Sequence, residues 1–153
     1  MRSVTRLCVV FLLAGTAPLP AQAPALPPVA AGRVKVATGS AAIVRGGQTL
    51  VATPGLAIQE ADVLRTGADG RLSVMLKDDS RLALGPNSEL ALTAFAYAPS
   101  EQRLALGLRM ARGLLSYVSG LIAKLAPESV RLQTPTSIIG VRGTHVLVKA
   151  DAP

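Results

Sequence analysis

Residues 69–92 read DGRLSVMLKDDSRLALGPNSELAL and contain three near-copies of one short unit. The copies lie 10 and 8 residues apart and read DGRL at 69–72, DSRL at 79–82 and NSEL at 87–90. Each copy opens with two turn-forming residues and continues into alternating apolar and polar side chains, which is typical of a strand with one buried face. This repetition predicts an all-β fold, either a short-strand, β-solenoid-like stack of coils or a twisted sandwich. A plain meander of strands would show the same periodicity.

The strand pattern continues on both sides of the repeats. Alternating runs of apolar and polar residues predict further strands at 33–37, 41–44, 49–52, 62–66, 129–134 and 141–149. Between two of these runs, Gly46-Gly47 predicts a hairpin turn, because glycine adopts positive φ without a clash at Cβ. Pro135 separates the two closing strands.

Residues 104–125 fit both a strand and a helix, since their leucines recur with both spacings. Three glycines at 107, 113 and 120 disfavour a continuous helix, each by about 1 kcal/mol relative to Ala. We therefore predict strands at 104–110 and 114–118, followed by at most one short helix near Leu121–Leu125.

The first 25 residues have the composition of a secretory signal peptide. Arg2 and Arg6 provide positive charge, residues 7–14 form a short apolar run, and small residues suited to cleavage follow between 21 and 25. Prolines interrupt the apolar run before it reaches the roughly 20 residues that a membrane-spanning helix needs. We therefore expect a periplasmic or secreted protein without a stable membrane span after signal removal, with an uncleaved anchor as the alternative.

Removal of this signal sets the composition of the mature chain. Residues 26–31, rich in Pro and Ala, are predicted to form a linker, and 32–149 the β domain. Cleavage takes two of the 16 basic residues and none of the 9 acidic ones, so the net charge falls from +7 to +5. The remaining positive charge indicates either an attraction to anionic envelope polymers or lipids, or merely a contribution to solubility.

The composition argues against most catalytic functions and against nucleic-acid binding. Aromatic residues make up 3% of the chain and Trp is absent, so platforms for stacking bases are lacking. One Cys and one His exclude a disulfide framework, a Cys/His zinc site and most nucleophile–base pairs. No Walker Lys follows a Gly-rich loop, and no GxGxxG opens a helix. We therefore predict a non-enzyme with no cofactor, no metal and no nucleic-acid partner.

The acidic residues leave one catalytic alternative open. A glycosidase needs two carboxyls about 5 to 10 Å apart in a cleft. A calcium loop needs a D-x-D-x-D-G run, which this sequence lacks. Structural roles at turns are favoured, since Asp caps its own backbone there. An envelope hydrolase is the less favoured reading of Glu60, Asp62, Asp69, Asp78, Asp79 and Glu89.

Three further features are interpreted as structural or as surface charge. His145 is predicted to be an ordinary strand residue, because a lone His cannot form a metal site. The segment 140–143 is interpreted as a bulge or a close backbone approach rather than as a nucleic-acid GXXG loop. Arg71, Arg81 and Glu89 occupy equivalent places in the quasi-repeats and are expected to form a surface charge ladder, which Arg65 or Arg103 would extend into a binding stripe.

Four segments in a fixed order resemble the FecR domain, over about residues 32–149. They read GADG at 67–70, DDS at 78–80, LGPNS at 84–88 and, at the end, TPT at 134–136 through IGVRGT at 139–144. Residues 113–124 are similar to one subgroup of the family. The motif positions, interpreted as structural, are Gly67, Asp69, Gly70, Asp78, Ser80, Pro86, Asn87, Ser88, Gly113, Thr134, Pro135, Gly140, Arg142, Gly143 and Thr144. Ala61 and Asp79 stand where the family tends to have Gly.

The resemblance implies an extracytoplasmic all-β module of the Gram-negative envelope. In signalling members this module is the periplasmic part of a transmembrane regulator of an extracytoplasmic-function sigma factor, linked to iron-siderophore uptake. Those members carry a cytoplasmic anti-sigma helix bundle before the span and a receptor-facing domain after the β module. We expect this chain to have neither, so the resemblance does not imply the whole sigma-factor role.

Two hypotheses for the function follow. The leading one is a non-catalytic exported module that binds an envelope protein or a cell-wall polymer through a strand edge, a sheet face or charge. The alternative is the sensor part of a split sigma-factor and iron-uptake signalling system, acting in trans. The sequence does not give the ligand or the oligomeric state.

Overall fold

The computed structural model describes residues 29–151, which form twelve β-strands and one short α-helix. The predicted signal peptide and the first half of the predicted linker, residues 26–28, lie outside the described residues. The strands are β1 (Ala30–Thr38), β2 (Ala41–Arg45), β3 (Gln48–Val51), β4 (Ala57–Gln59), β5 (Val63–Thr66), β6 (Arg71–Leu76), β7 (Arg81–Leu84), β8 (Glu89–Ala98), β9 (Arg103–Val118), β10 (Val130–Gln133), β11 (Ile138–Gly140) and β12 (His145–Ala150), and the helix is α1 (Leu121–Leu125). The all-β prediction and the one short helix are confirmed.

All twelve strands belong to one curled sheet with two halves. Sheet A has the order β4-β1-β6-β7-β9-β12, and sheet B has the order β3-β2-β5-β8-β9-β10-β11. Strand β9 is shared, because residues 103–112 pair with β8 and residues 113–118 pair with β12. Every pair is antiparallel except β9 with β10. The quasi-repeat strands are thus segments of one curled antiparallel sheet, in which β6 pairs with β7 while β8 lies in the other half, and they do not stack as successive coils of a solenoid.

The inner surface of this sheet carries the hydrophobic core. The leucines and the valine that alternation places on one face of each quasi-repeat strand are buried, as are alternate residues of β9. Full burial of a Leu or Val side chain contributes about 1.5–3 kcal/mol, so these alternating positions hold the two halves together. They are Leu72, Val74, Leu76, Leu82, Leu84, Leu90, Leu92, Leu106, Leu108, Met110, Leu115 and Tyr117.

Strand β9 departs from the prediction of two separate strands at 104–110 and 114–118. It runs without a break from sheet B into sheet A, because Gly113 takes φ +96° and lets the backbone bend while its pairing continues. Strand β11 was not predicted, and it forms a short hairpin with β10 around Pro135. Strand β1 begins at Ala30, inside the predicted linker.

No helix among residues 29–151 combines the length and apolar character needed to cross a bilayer.

The longest strand, β9, and its partner β8 form the most extensive pairing, with an irregularity in register between Leu92 and Ala94. The hairpin turn predicted at Gly46-Gly47 is confirmed, and both glycines have positive φ.

Both non-glycine departures from the family pattern adopt left-handed backbone, with φ +69° at Ala61 and +64° at Asp79. This conformation costs an L-residue about 1–2 kcal/mol in the folded state. Glycine avoids that strain, but part of the gain is lost because glycine has more conformational entropy in the unfolded chain. We expect Ala61→Gly to raise the free energy of unfolding by about 0.5–1 kcal/mol in urea denaturation. The gain at Asp79→Gly is smaller, since Asp tolerates positive φ.

A matched control is Ala105→Gly, in the interior of β9 with extended backbone. There glycine has no strain to relieve, and we expect a loss of about 0.5–1 kcal/mol. A loss at Ala61→Gly equal to that at Ala105→Gly would contradict the assignment of strain to residue 61.

Candidate functional site

Seven of the motif positions lie along one line, here called the corner, where strands cross between sheets A and B. The corner consists of residues 39–40, 67–70 and 85–88 together with Gly113. Each of the three short segments, here called links, joins a strand of one sheet to a strand of the other. The strands joined by one link pair with the strands joined by the next, so β1–β2, β5–β6 and β7–β8 form three long bent strands side by side, and β7–β8 lies beside β9. Strands that change sheet commonly do so at a bend or bulge.

Backbone hydrogen bonds join the successive links of the corner. Gly67 N donates to Ser40 O over 2.7 Å, and Asn87 N donates to Gly67 O over 2.9 Å. Ser40 N donates to Asp69 Oδ1 over 3.2 Å. A Cβ at Gly70 would collide with the carbonyl oxygen of Ser40, so this position excludes a side chain. The pKa of Asp69 is lowered, first by hydrogen bonding from the Ser40 side chain and then from the Ser40 backbone N–H.

Ser88 anchors the corner to β9. Its Oγ accepts from Leu114 N over 2.9 Å, and its own N donates to Thr66 Oγ1 over 2.9 Å. Thr66 Oγ1 in turn donates to Gly85 O over 2.7 Å. A Cβ at Gly113 would collide with Ser88, so the crossing of β9 needs glycine for space as well as for φ. Together these contacts give the GADG and GPNS motifs a structural role.

Asp78 and Ser80 form a second structural cluster, in the turn between β6 and β7. Both are fully buried, and Ser80 Oγ donates to Asp78 Oδ2 over 2.7 Å. They accept hydrogen bonds from the N–H groups at the start of α1. Gly120 N donates to Ser80 Oγ over 3.0 Å, and Leu121 N donates to the backbone oxygen of Asp78 over 2.6 Å. These are groups that a helix start leaves without partners inside the helix. Burial raises the pKa of the neighbouring Tyr117, whose hydroxyl makes no hydrogen bond within the described residues.

The last motif positions lie around β11 and the link to β12. Thr134 closes the β10–β11 turn at Pro135, because its N and Oγ1 bond to Ser137. A Cβ at Gly140 or Gly143 would meet nothing within 4 Å, so of the two readings given for 140–143, a bulge or a close backbone approach, the close approach is wrong. Arg142 and Thr144 are exposed. This segment is an open connection from sheet B to sheet A, beside a cleft of about 520 Å³.

Of the candidate acidic residues, Glu60 lines a cleft of about 370 Å³ together with Glu101, whereas Asp62 and Asp78 are buried. Asp62 is buried and receives Arg45 Nε at 2.8 Å and Arg45 Nη2 at 2.7 Å, and Gln59 N at 2.8 Å. Its side chain is the main cause that raises the pKa of Arg45. Sequence reasoning missed Arg45, because nothing local pairs it with a residue 17 positions away. Among residues 29–151, no group of three or more His, Cys, Asp or Glu is placed to hold a metal ion.

The charge ladder predicted for Arg71, Arg81 and Glu89 divides between the two halves. Glu89 lies on sheet B, where its Oε2 is 3.2 Å from Arg65 Nε and 3.7 Å from Arg112 Nη2. Arg71 and Arg81 lie on the outer surface of sheet A. The prediction that the three share one surface is therefore wrong, although Arg65 does join Glu89.

The outer surface of sheet A carries several exposed cations, among them Arg33, Arg71 and Arg81, and is here called the cationic face. Strand register places its side chains in three rows across β1, β6, β7, β9 and β12. None of the positions in the rows is acidic. The rows are Arg33, Met75, Arg81, Val118 and His145; then Val36, Ser73, Ala83, Ser116 and Leu147; then Thr38, Arg71, Leu114 and Lys149.

The cations of this face serve no evident purpose in the fold. Arg33, Arg71 and Arg81 are exposed, and within residues 29–151 their side chains make no hydrogen bond or ion pair. Lys35 adds a further exposed cation at the irregularity of β1. Lys149 Nζ lies 3.5 Å from Asp151 Oδ1, in an exposed pair that is worth little in water.

Short side chains form a shallow groove at the centre of the cationic face. The groove has a volume of about 330 Å³, with Ser73, Ala83 and Ser116 at its floor and Val36 and Leu114 beside them. Ser116 Oγ lies 2.8 Å from His145 Nε2, a pairing that the sequence did not reveal across 29 positions. No carboxylate of the described residues contacts His145, so the pair lacks the third group that orients a catalytic His.

Comparison with known proteins gives one match. A family model described as FecR protein matches residues 62–153, more than half of the chain. The matched region contains the links at 67–70 and 85–88, the crossing at Gly113 and the closing strands. No curated protein and no solved structure matches.

The corner generates a prediction about glycine. Gly113→Ala forces an L-residue into φ +96° and a methyl group against Ser88, so we expect the free energy of unfolding to fall by about 2 kcal/mol or more. Gly140→Ala is the matched control, because open space surrounds that position, and we expect a change within about 0.5 kcal/mol. Equal effects in urea denaturation would contradict the role given to the β9 crossing.

Proposed function

The chain belongs to the FecR family, which is generally linked to signalling in sigma-factor and iron-uptake systems, and on this premise we propose that it is an exported, non-catalytic binding module. Its ligand is an anionic component of the bacterial envelope, which is a protein, a polymer or the lipid surface, and the cationic face is the surface that binds it. The observation that carries the proposal is the gathering of exposed cations on one sheet surface with no acidic side chain in the rows.

The electrostatics of the face support an anionic ligand. Exposed cations on one surface sum to a positive potential that attracts anions and speeds their encounter with the protein. Three of the cations are arginines, whose planar guanidinium binds carboxylate or phosphate through two parallel hydrogen bonds. Within residues 29–151 these guanidinium groups make no hydrogen bond or ion pair, so they are free to bind a ligand.

The surroundings of the other charged groups support binding rather than catalysis. Asp62 and Asp78 are buried and hydrogen-bonded to groups that hold loops in place. Glu60 Oε2 accepts from Phe95 N over 3.0 Å. Each of these carboxylates already has a structural partner, and a hydrolase pair would have to be assembled from other groups.

Export is part of the proposal and is supported by the sequence of residues 1–25. Their charged start, short apolar run and small residues between 21 and 25 are typical of a cleaved signal. Cleavage there would release a basic chain into the compartment where phosphate- and carboxylate-bearing envelope components face it.

We expect the full chain, expressed with a C-terminal tag in a Gram-negative host, to lose 21 to 25 residues and to sediment with the envelope fraction. Sedimentation should decrease as salt rises from about 0.05 to about 0.5 M, because salt screens exposed charges. Arg71→Glu/Arg81→Glu should abolish it. The measurement is immunoblotting of fractions, with intact mass for the cleavage.

The control with the same change in net charge is Arg109→Glu/Arg131→Glu, on the outer surface of sheet B. We expect this variant to sediment like the unmodified protein. Equal losses in the two double variants, or no sedimentation of the unmodified protein, would contradict binding through the cationic face.

A second candidate function, the sensor part of a split regulator, is favoured by the family match. In this version the module transmits envelope binding to a sigma factor through another protein. We expect deletion of the gene, under iron limitation, to change the transcript levels of a sigma-factor regulon, and Arg71→Glu/Arg81→Glu to fail to restore them. RNA sequencing with no change on deletion would dispose of this candidate.

A further inference from the structure

We propose that the cationic face binds the surface of a lipid bilayer that contains anionic phospholipids. This inference rests on the proposed function, since it names the anionic component that the face recognises. It assigns two tasks to one surface: the cations bind headgroup phosphates, and exposed aliphatic side chains between them enter the boundary between headgroups and acyl chains.

The spread of the cations favours an extended ligand. Neighbouring strands lie about 4.8 Å apart, so the five strands from β1 to β12 span roughly 19 Å. Arg33 and Lys149 lie at opposite edges of this span and in different rows, with Arg71 and Arg81 between them. A small anion would contact only one or two of these side chains, whereas a bilayer presents phosphates to all of them.

Exposed aliphatic side chains distinguish a bilayer from a soluble polyanion. Val36 and Leu147 end the middle row and are 52% and 65% exposed. Leu114 and Val118 add exposed apolar surface from β9, at 39% and 36%. A polyphosphate offers no apolar atoms to these groups and an acidic polysaccharide offers only the C–H groups of its sugar rings, whereas the interfacial region of a bilayer offers acyl chains.

The topology of the face argues against strand addition by an acidic peptide. A peptide adds to a sheet at a strand edge, where backbone groups are unpaired. In the centre of the cationic face, β6, β7 and β9 each have partners on both sides, so their backbone groups are engaged in the sheet. The cationic face therefore presents side chains and not unpaired backbone groups. A membrane surface would lie against such a face and contact these side chains.

The experiment measures sedimentation of the purified mature chain with vesicles. We expect vesicles of phosphatidylcholine with about 30% phosphatidylglycerol to bind at least tenfold better than pure phosphatidylcholine, with binding that weakens as salt rises. Each cation near an anionic surface contributes about fivefold to partitioning, so Arg71→Gln/Arg81→Gln should reduce it roughly 25-fold. Arg109→Gln/Arg131→Gln, on sheet B, should change it by less than about twofold.

A second pair of variants tests the aliphatic contribution. Val36→Ser/Leu147→Ser keeps every charge and alters two exposed side chains, and we expect it to weaken vesicle binding at least fivefold. Circular dichroism and urea denaturation of each variant check that the fold is retained. Val51→Ser, at an exposed position of β3 outside the cationic face, is the matched control and should leave binding unchanged.

The outcomes separate the inference from the function on which it rests. Equal binding to charged and uncharged vesicles would overturn the lipid inference. So would full binding by Val36→Ser/Leu147→Ser together with displacement by soluble polyphosphate, which would indicate a polyanion. Charge-dependent sedimentation with whole envelopes but not with vesicles would overturn the lipid inference and leave the proposed function standing. Absence of both would overturn both.

Discussion

The corner is the constraint on which the rest of the structure depends. A sheet bends sharply only where side chains leave room and where the peptide groups at the bend keep hydrogen-bond partners. Gly70 and Gly113 meet the first requirement, because a Cβ at either would collide with the neighbouring link. Ser88 and Thr66 meet the second, by bonding to backbone groups that the bend takes out of the ladder. The bend separates the two outer surfaces, and with them the two sets of exposed charges.

The strand pattern and the buried face of each quasi-repeat were predictable from the sequence, whereas the roles of their turns were not. The DSRL copy reverses the chain in a hairpin between β6 and β7, while the DGRL and NSEL copies mark links at the corner. A hairpin turn and a link at the corner both need small or polar residues and both tolerate positive φ. The local sequence therefore looks the same in the two cases. Pairing with distant strands decides between them, and periodicity within one segment contains no information about that pairing.

The same limit explains what was missed at the candidate site. Alternation predicts that Arg71 and Arg81 point away from the core, but not that Arg33 and Lys149 lie on the same surface. Those neighbours come from β1 and β12, at opposite ends of the described chain. Glu89 occupies the equivalent place in its repeat, yet the corner turns it onto sheet B between Arg65 and Arg112. Arg45 and Asp62 likewise pair through the tertiary fold alone.

This separation of charge bears on why the cationic face exists. The buried acids Asp62 and Asp78 are bonded to loops or to Arg45, and the half-buried Glu89 is shared by two arginines. The outer surface of sheet A receives none of these acids, so its cations repel one another, weakly because water and salt screen them. Neutral polar side chains would solvate the surface without that repulsion. Arg33, Arg71 and Arg81 make no side-chain hydrogen bond or ion pair among residues 29–151, and the proposed contact with an anionic, partly apolar surface would give them a role beside exposed Val36 and Leu147.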